Sequence, residues 1–143
     1  IKIADSTGQP LENGNIGILW SKCAWSITPN QWLQCGDLAV QDAEGYYYLK
    51  GRSDDMLICG GVNVYPIDLE NILYIHNAIK FARAYAIDDA DLGQCLAVDI
   101  ILNQILNIEE LQLWISGQTP RYLRPKSIRI IDQIETDSIG KPV

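Results

Sequence analysis

A chain of 143 residues, 48% apolar and 20% charged, is sized for one ordinary domain or for a small domain with a piece of another. Its formal charge of −7 argues against a general nucleic-acid or anionic-membrane surface, and no apolar run reaches the roughly eighteen residues of a membrane-spanning helix. The four cysteines (Cys23, Cys35, Cys59, Cys95) make no CxxC pair and His76 is the only histidine, so no metal site is expected. With no basic-then-apolar leader at the start, the chain reads as cytoplasmic, with reduced and mostly buried thiols.

Residues 1–3 alternate, and Asp5-Ser6-Thr7-Gly8 reads as a turn. Asn13-Gly14 marks a second turn, before a short apolar strand over 16–20. The strands over 36–40 and 46–50 flank Asp42-Ala43-Glu44-Gly45, a hairpin closed by glycine. Three aromatics in a row, Tyr46-Tyr47-Tyr48, suit a strand with both faces partly covered. Pro66 suits the first turn of a helix whose apolar side is Ile67, Leu69, Ile72, Leu73 and Ile75. Asp68 and Glu70 fall near its positive end, and Glu70 reads as helix surface. Two strand-like runs, 80–87 and 96–102, are split by a polar turn over 88–93. Asn107 predicts the N-cap of a helix over 108–115, ended by Gly117. A strand over 127–131 precedes a polar tail. The second half thus runs β-α-β-β-α-β. It predicts an α+β fold over residues 53–143: a small domain with a mainly antiparallel sheet and packed helices, preceded by a β-rich piece over 1–52.

The stretch 51–66 concentrates unlike groups. Arg52, Asp54 and Asp55 stand just before the apolar Met56-Leu57-Ile58, and Gly60-Gly61 follows. A solvated loop has no need of the apolar run, and a core strand has no need of the charges. Polar anchors beside a strand that ends in a flexible turn point to a site at an element boundary. On the residues alone, Asp37 reads as a turn aspartate capping the hairpin, Arg52 can be a surface ion pair, and Gly60-Gly61 serves equally as an ordinary hairpin turn. His76, with no acid near it in sequence, reads as structural.

Four pieces then occur in one order. They are Cys35-Gly36-Asp37-Leu38; Gly51-Arg52-Ser53-Asp54-Asp55 with Gly60-Gly61-Val62-Asn63-Val64-Tyr65-Pro66; Arg124-Pro125-Lys126; and Thr136-Asp137-Ser138-Ile139-Gly140-Lys141. Together they resemble the C-terminal end of the adenylate-forming ligases, which include acyl- and aryl-CoA synthetases, peptide-synthetase adenylation domains and luciferases. The resemblance covers nearly the whole chain. It implies a carboxylic acid attacking ATP to give an acyl-adenylate, and then a thiol, most often that of CoA, displacing AMP. A small C-terminal domain rotates between the two steps.

The same resemblance implies roles for particular residues. Asp37 would accept from the ATP ribose hydroxyls, and Arg52 would hold the ribose or a phosphate. Asp54 would be the hinge, Gly60 and Gly61 the turn along the pantetheine channel, and Lys141 the adenylation lysine. ATP, with magnesium in the full-length enzyme, and CoA are the implied cofactors. The family's phosphate-binding loop and acyl pocket do not occur in these residues, and residue 1 is Ile. The expectation is therefore a fragment, inactive alone, whose missing partner is the large N-terminal domain. Two alternatives stay open: loading of a carrier-protein phosphopantetheine, and a non-catalytic docking module of the same fold. The Gly-Gly-Val-Asn turn looks closer to the CoA ligases.

Overall fold

The computed structural model describes residues 1–24 and 29–133. The chain divides into two compact units, Ile1–Met56 and a second that begins at Leu57.

The first unit is a four-stranded antiparallel meander in chain order: β1 (Lys2–Ala4), β2 (Ile16–Ser21), β3 (Leu33–Gln41) and β4 (Tyr47–Arg52). Side-chain carboxylates shape its turns. Asp5 Oδ1 accepts from the backbone N–H of Thr7 at 2.8 Å and of Gln9 at 3.0 Å. Asp42 Oδ1 does the same for Glu44 and Tyr46, at 3.0 and 2.9 Å, which closes the β3–β4 hairpin. The tyrosine run departs from expectation. Tyr47 is half-buried, but Tyr46 and Tyr48 are exposed, so one face of β4 stays open within this unit. Tyr48 instead donates its hydroxyl to Asp42 Oδ2 at 3.0 Å.

The second unit is α+β. Its strands are β5 (Leu57–Cys59), β6 (Val62–Val64), β7 (Ile79–Asp89), β8 (Gly93–Leu102) and β9 (Ser127–Ile130). Its helices are α1 (Pro66–Leu73), α2 (Ile108–Gln118) and a 3-10 turn over Arg121–Leu123. The sheet order is β6-β5-β8-β7, with β9 also pairing with β8. Every pair is antiparallel except β8–β9. Residues 95–100 of β8 are all buried, so both faces of this central strand are covered. Leu69 and Leu73 from α1, and Leu111 and Ile115 from α2, join Leu57, Val64, Val98 and Ile100 in one core.

The helix signals held at the starts and slipped at the ends. Pro66 opens α1, and the Asn107 side chain caps α2 by accepting from Glu109 N–H at 2.8 Å. Gly117 does not end α2. The helix runs to Gln118, and Thr119 closes it, with its N–H and its hydroxyl both donating to the Ile115 carbonyl. Ile75 lies beyond α1 and is exposed rather than part of its apolar side. Glu70 is not merely surface. It and Tyr74 are i, i+4 on one face, turned to the outer edge of β7. Glu70 Oε1 accepts from Ala84 N–H at 2.8 Å, and the Tyr74 hydroxyl lies 3.3 Å from Ala82 N and 3.2 Å from Ala82 O. Helix side chains thus satisfy an edge that would otherwise offer open hydrogen bonds.

Cys59 and Cys95 are buried, Cys35 is half-buried and Cys23 is exposed, and none of the four is in a disulfide. His76 is structural: its Nδ1 accepts from Ala78 N–H at 3.2 Å, and its ring meets Trp114 edge-on at 4.8 Å. No helix among the described residues is long and apolar enough to cross a membrane.

Candidate functional site

Asp37 and Arg52 are register partners across β3 and β4. Arg52 Nη1 donates to Asp37 Oδ1 and to the Cys35 carbonyl, each at 3.2 Å. Glycine at 36 makes room for this fork: its φ is +76°, and a Cβ there would lie 2.9 Å from Arg52 Nη2. The Gly36 carbonyl accepts from Ser53 N–H at 2.9 Å and lies 3.1 Å from Ser53 Oγ. The side chains of Arg52 and Asp37 are 52% and 34% exposed, so the pair contributes about 0–1 kcal/mol to stability. What it supplies is orientation. Among the described residues Asp37 accepts only from Arg52, through Oδ1, and its Oδ2 takes no hydrogen bond from them.

Asp54 follows in a turn. Asp55 N–H donates to the Arg52 carbonyl at 3.2 Å, and Ser53 Oγ lies 2.9 Å from Asp54 Oδ1. Asp54 is exposed, and the division between the units falls just after it, between Met56 and Leu57.

In the second unit, Gly60 and Gly61 form the two-residue turn joining β5 to β6. Their φ values, +55° and +84°, belong to the left-handed region that a two-residue hairpin of this hand demands. Gly60 N–H donates to the Leu92 carbonyl at 3.0 Å, and a Cβ on Gly60 would stand 3.2 Å from Leu92 Cδ2. A Cβ on Gly61 would meet nothing within 4 Å. The turn is thus fastened on one side and open on the other.

Two buried carboxylates escaped the sequence reading. Asp89 pairs through Oδ2 with Lys126, and its Oδ1 accepts from the N–H groups of Asp91 and Leu92, each at 2.9 Å. The Lys126 ammonium, then those two N–H groups, hold the Asp89 carboxyl well below the usual carboxylate range. Asp99 receives Arg129 in bidentate fashion, Nε to Oδ1 at 2.7 Å and Nη2 to Oδ2 at 2.6 Å, and the Tyr85 hydroxyl at 3.2 Å. Arg129 depresses the Asp99 carboxyl and burial opposes it. Arg124, from the third sequence piece, donates to the Ser116 and Thr119 carbonyls at 2.9 and 3.3 Å at the end of α2.

The predicted site residues therefore fall in two places. Asp37, Arg52 and Asp54 lie in the first unit, with Asp37 and Arg52 in contact, and Gly60 and Gly61 lie in the second. Lys141 and the Thr136–Lys141 segment, numbered 136–141, lie outside the described residues.

A small α+β domain with two helices and a mainly antiparallel sheet, following an antiparallel meander, defines the class of architecture. Residues 68–141 match the family model of the AMP-binding enzyme C-terminal domain, and the chain belongs to that family. The 2-succinylbenzoate–CoA ligase of Bacillus pumilus is 28% identical over 99% of this chain and 32% of its own length. YngI of Bacillus subtilis is 35% identical over 81% of this chain and 22% of its own length. Among solved structures, o-succinylbenzoate CoA synthetase of Bacillus subtilis, in complex with its acyl-adenylate intermediate, superposes with a TM-score of 0.87. It is 26% identical, and the match covers 99% of this chain and 32% of that one. The chain thus spans about a third or less of the length of these relatives.

Proposed function

We propose that this chain is the C-terminal part of an ATP-dependent carboxylic acid–CoA ligase, AMP-forming, which makes an acyl-adenylate and then an acyl thioester by domain alternation. The observation that carries the reading is the match, over 99% of the chain, to a CoA synthetase solved with its acyl-adenylate. The geometry of Asp37 supports it. A ribose diol needs an ionised acceptor with an accessible oxygen, and Asp37 is oriented by Arg52 with one oxygen left over. In this reading Asp37 accepts from the ribose hydroxyls and Arg52 fixes Asp37 and reaches the ribose or a phosphate. Asp54 absorbs the backbone rotation between the two steps. Gly60 and Gly61 lie along the pantetheine of CoA, where their backbone allows close approach. Lys141 bridges the substrate carboxylate and the ribose or phosphate oxygens while negative charge is shared between them.

We assign no residue of this chain to the magnesium that accompanies ATP. The large N-terminal domain completes the enzyme, and the 143 residues alone are inactive. In this reading the protein works in the cytoplasm, where its thiols stay reduced.

The test uses the full-length protein and a panel of aryl and alkyl carboxylic acids. Carboxylate-dependent pyrophosphate release, and CoA-dependent AMP release from preformed acyl-adenylate, report the two half-reactions. Lys141→Ala is expected to slow the first by about 10²–10³, as removal of a preorganised charge-stabilising donor does. The second is expected to stay nearly intact. Equal loss in both half-reactions would remove Lys141 from its role. Absence of any carboxylate-dependent pyrophosphate release by the wild type would remove the ligase reading.

A further inference from the structure

We infer that Lys126 and Asp89 are positioning residues for the Gly60-Gly61 turn and, through it, for the thioester half-reaction; the second clause rests on the function proposed above. The connection is continuous within the second unit. Lys126 is fixed by its own N–H, which donates to the Leu96 carbonyl at 2.7 Å, and its ammonium pairs with Asp89 Oδ2. Asp89 is nearly inaccessible, with 3% of its side chain exposed, and its other oxygen gathers the N–H groups of Asp91 and Leu92. That wraps the turn between β7 and β8 around one carboxylate. The Leu92 carbonyl then accepts Gly60 N–H at 3.0 Å, and the Leu92 side chain stands against Gly60. Cys59 and Gly93 pair alongside, so the two turns share one edge.

Lys126 is 62% exposed, and an exposed lysine usually pairs for little. This one differs because its partner is buried. Without the ammonium, Asp89 is a hidden carboxylate left with two N–H donors and the neighbouring Cys95 thiol. It would swing toward water and release the 89–92 turn, and Gly60 would lose a fixed acceptor.

Amide hydrogen exchange on the 143-residue chain tests the coupling. In Lys126→Gln, protection at Gly60, Asp91 and Leu92 is expected to fall by about tenfold relative to Val98 and Ile100, and Lys126→Arg is expected to restore it. Unchanged protection at Gly60, or a uniform fall that includes Val98 and Ile100, overturns the inference. In the full-length protein, Lys126→Gln is expected to slow AMP release from acyl-adenylate plus CoA by about tenfold and raise the KM for CoA, with pyrophosphate release altered by less than about twofold. Equal slowing of both half-reactions reduces Lys126 to a structural part. If the exchange pattern appears but the wild type forms no thioester, the coupling stands and the thiol-side reading of the turn falls.

Discussion

Replacing Glu70 with alanine is expected to open the outer edge of β7 without touching the site residues. Glu70 Oε1 takes the Ala84 N–H at 2.8 Å, and Ala84 is 7% exposed, so water cannot readily take over the donor. A hydrogen bond to a charged acceptor contributes about 1.5–3 kcal/mol, and Glu70 is only half-buried, which favours about 2 kcal/mol for its loss. Glutamine keeps a carbonyl oxygen at the same reach, so Glu70→Gln is expected to cost about 1 kcal/mol. For a unit of this size, 1 kcal/mol moves Tm by about 4–8 °C. Thermal unfolding followed by circular dichroism should therefore show Glu70→Ala lower by roughly 10 °C, and Glu70→Gln by about half as much. A Glu70→Ala variant within about 2 °C of wild type would refute the reasoning, because it would mean the edge N–H needs no partner from α1. A Glu70→Gln variant as damaged as Glu70→Ala would show that something other than an acceptor on Ala84 matters there.

Acid should weaken the second unit. Asp99 is depressed by Arg129 and Asp89 by Lys126, so their ionised forms contribute stability that is complete above the unfolded carboxylate value of about 4 and is lost as pH falls through the lower folded values. The urea midpoint is expected to drop below about pH 4, and Asp99→Asn to flatten that drop; an unchanged acid slope in Asp99→Asn would exclude its part in it. Arg52→Lys in the full-length protein is expected to raise the KM for ATP several-fold with little change in Tm, because a lysine lacks the planar guanidinium that lies over Gly36 and keeps further N–H donors beyond the one nitrogen spent on Asp37 and the Cys35 carbonyl; kinetics and a melting curve on one preparation decide it. Gly61→Asn is expected to fold normally, since asparagine tolerates positive φ and a Cβ there meets nothing within 4 Å, but to slow CoA-dependent AMP release; an unaltered rate would leave the hairpin as the only reason for that glycine.

Local chemistry made much of the fold legible. The turns at Asp5–Gly8 and Asp42–Gly45 are carboxylates accepting nearby N–H groups, which the residue types announce. Pro66 and Asn107 mark helix starts for equally local reasons. The Asp37–Arg52 contact was only partly legible: the hairpin at Asp42–Gly45 alone would set Asp37 opposite Gly51, and a register shift between Leu38 and Ala39 brings Arg52 across from it. Helix ends were less legible because they depend on partners further along. The Thr119 hydroxyl and the Arg124 guanidinium, not Gly117, satisfy the last carbonyls of α2. Asp89–Lys126 and Asp99–Arg129 could not be read at all. They are 37 and 30 residues apart, and only the pairing of β9 beside β8 brings them together. Glu70 was misplaced for the same reason: its partner is a backbone group on another element.

The carboxylates themselves separate architecture from site. Asp89 accepts from one ammonium and two N–H groups, and Asp99 from both arms of a guanidinium and a phenol. Both are buried, and their lone pairs are engaged inside the unit, so neither has an oxygen to offer a ligand. Their contribution is to pin β9 and the 89–92 turn. Asp37 accepts once, from an arginine that aims it, and a third of its side chain faces solvent. An ionised carboxylate held in direction but left half satisfied gains little for stability. Its unfilled oxygen is what a vicinal diol would use. In the reading proposed above, the first unit would offer its polar pair to a ligand and the second its turn geometry, while the strongest charges of the second unit hold that geometry still.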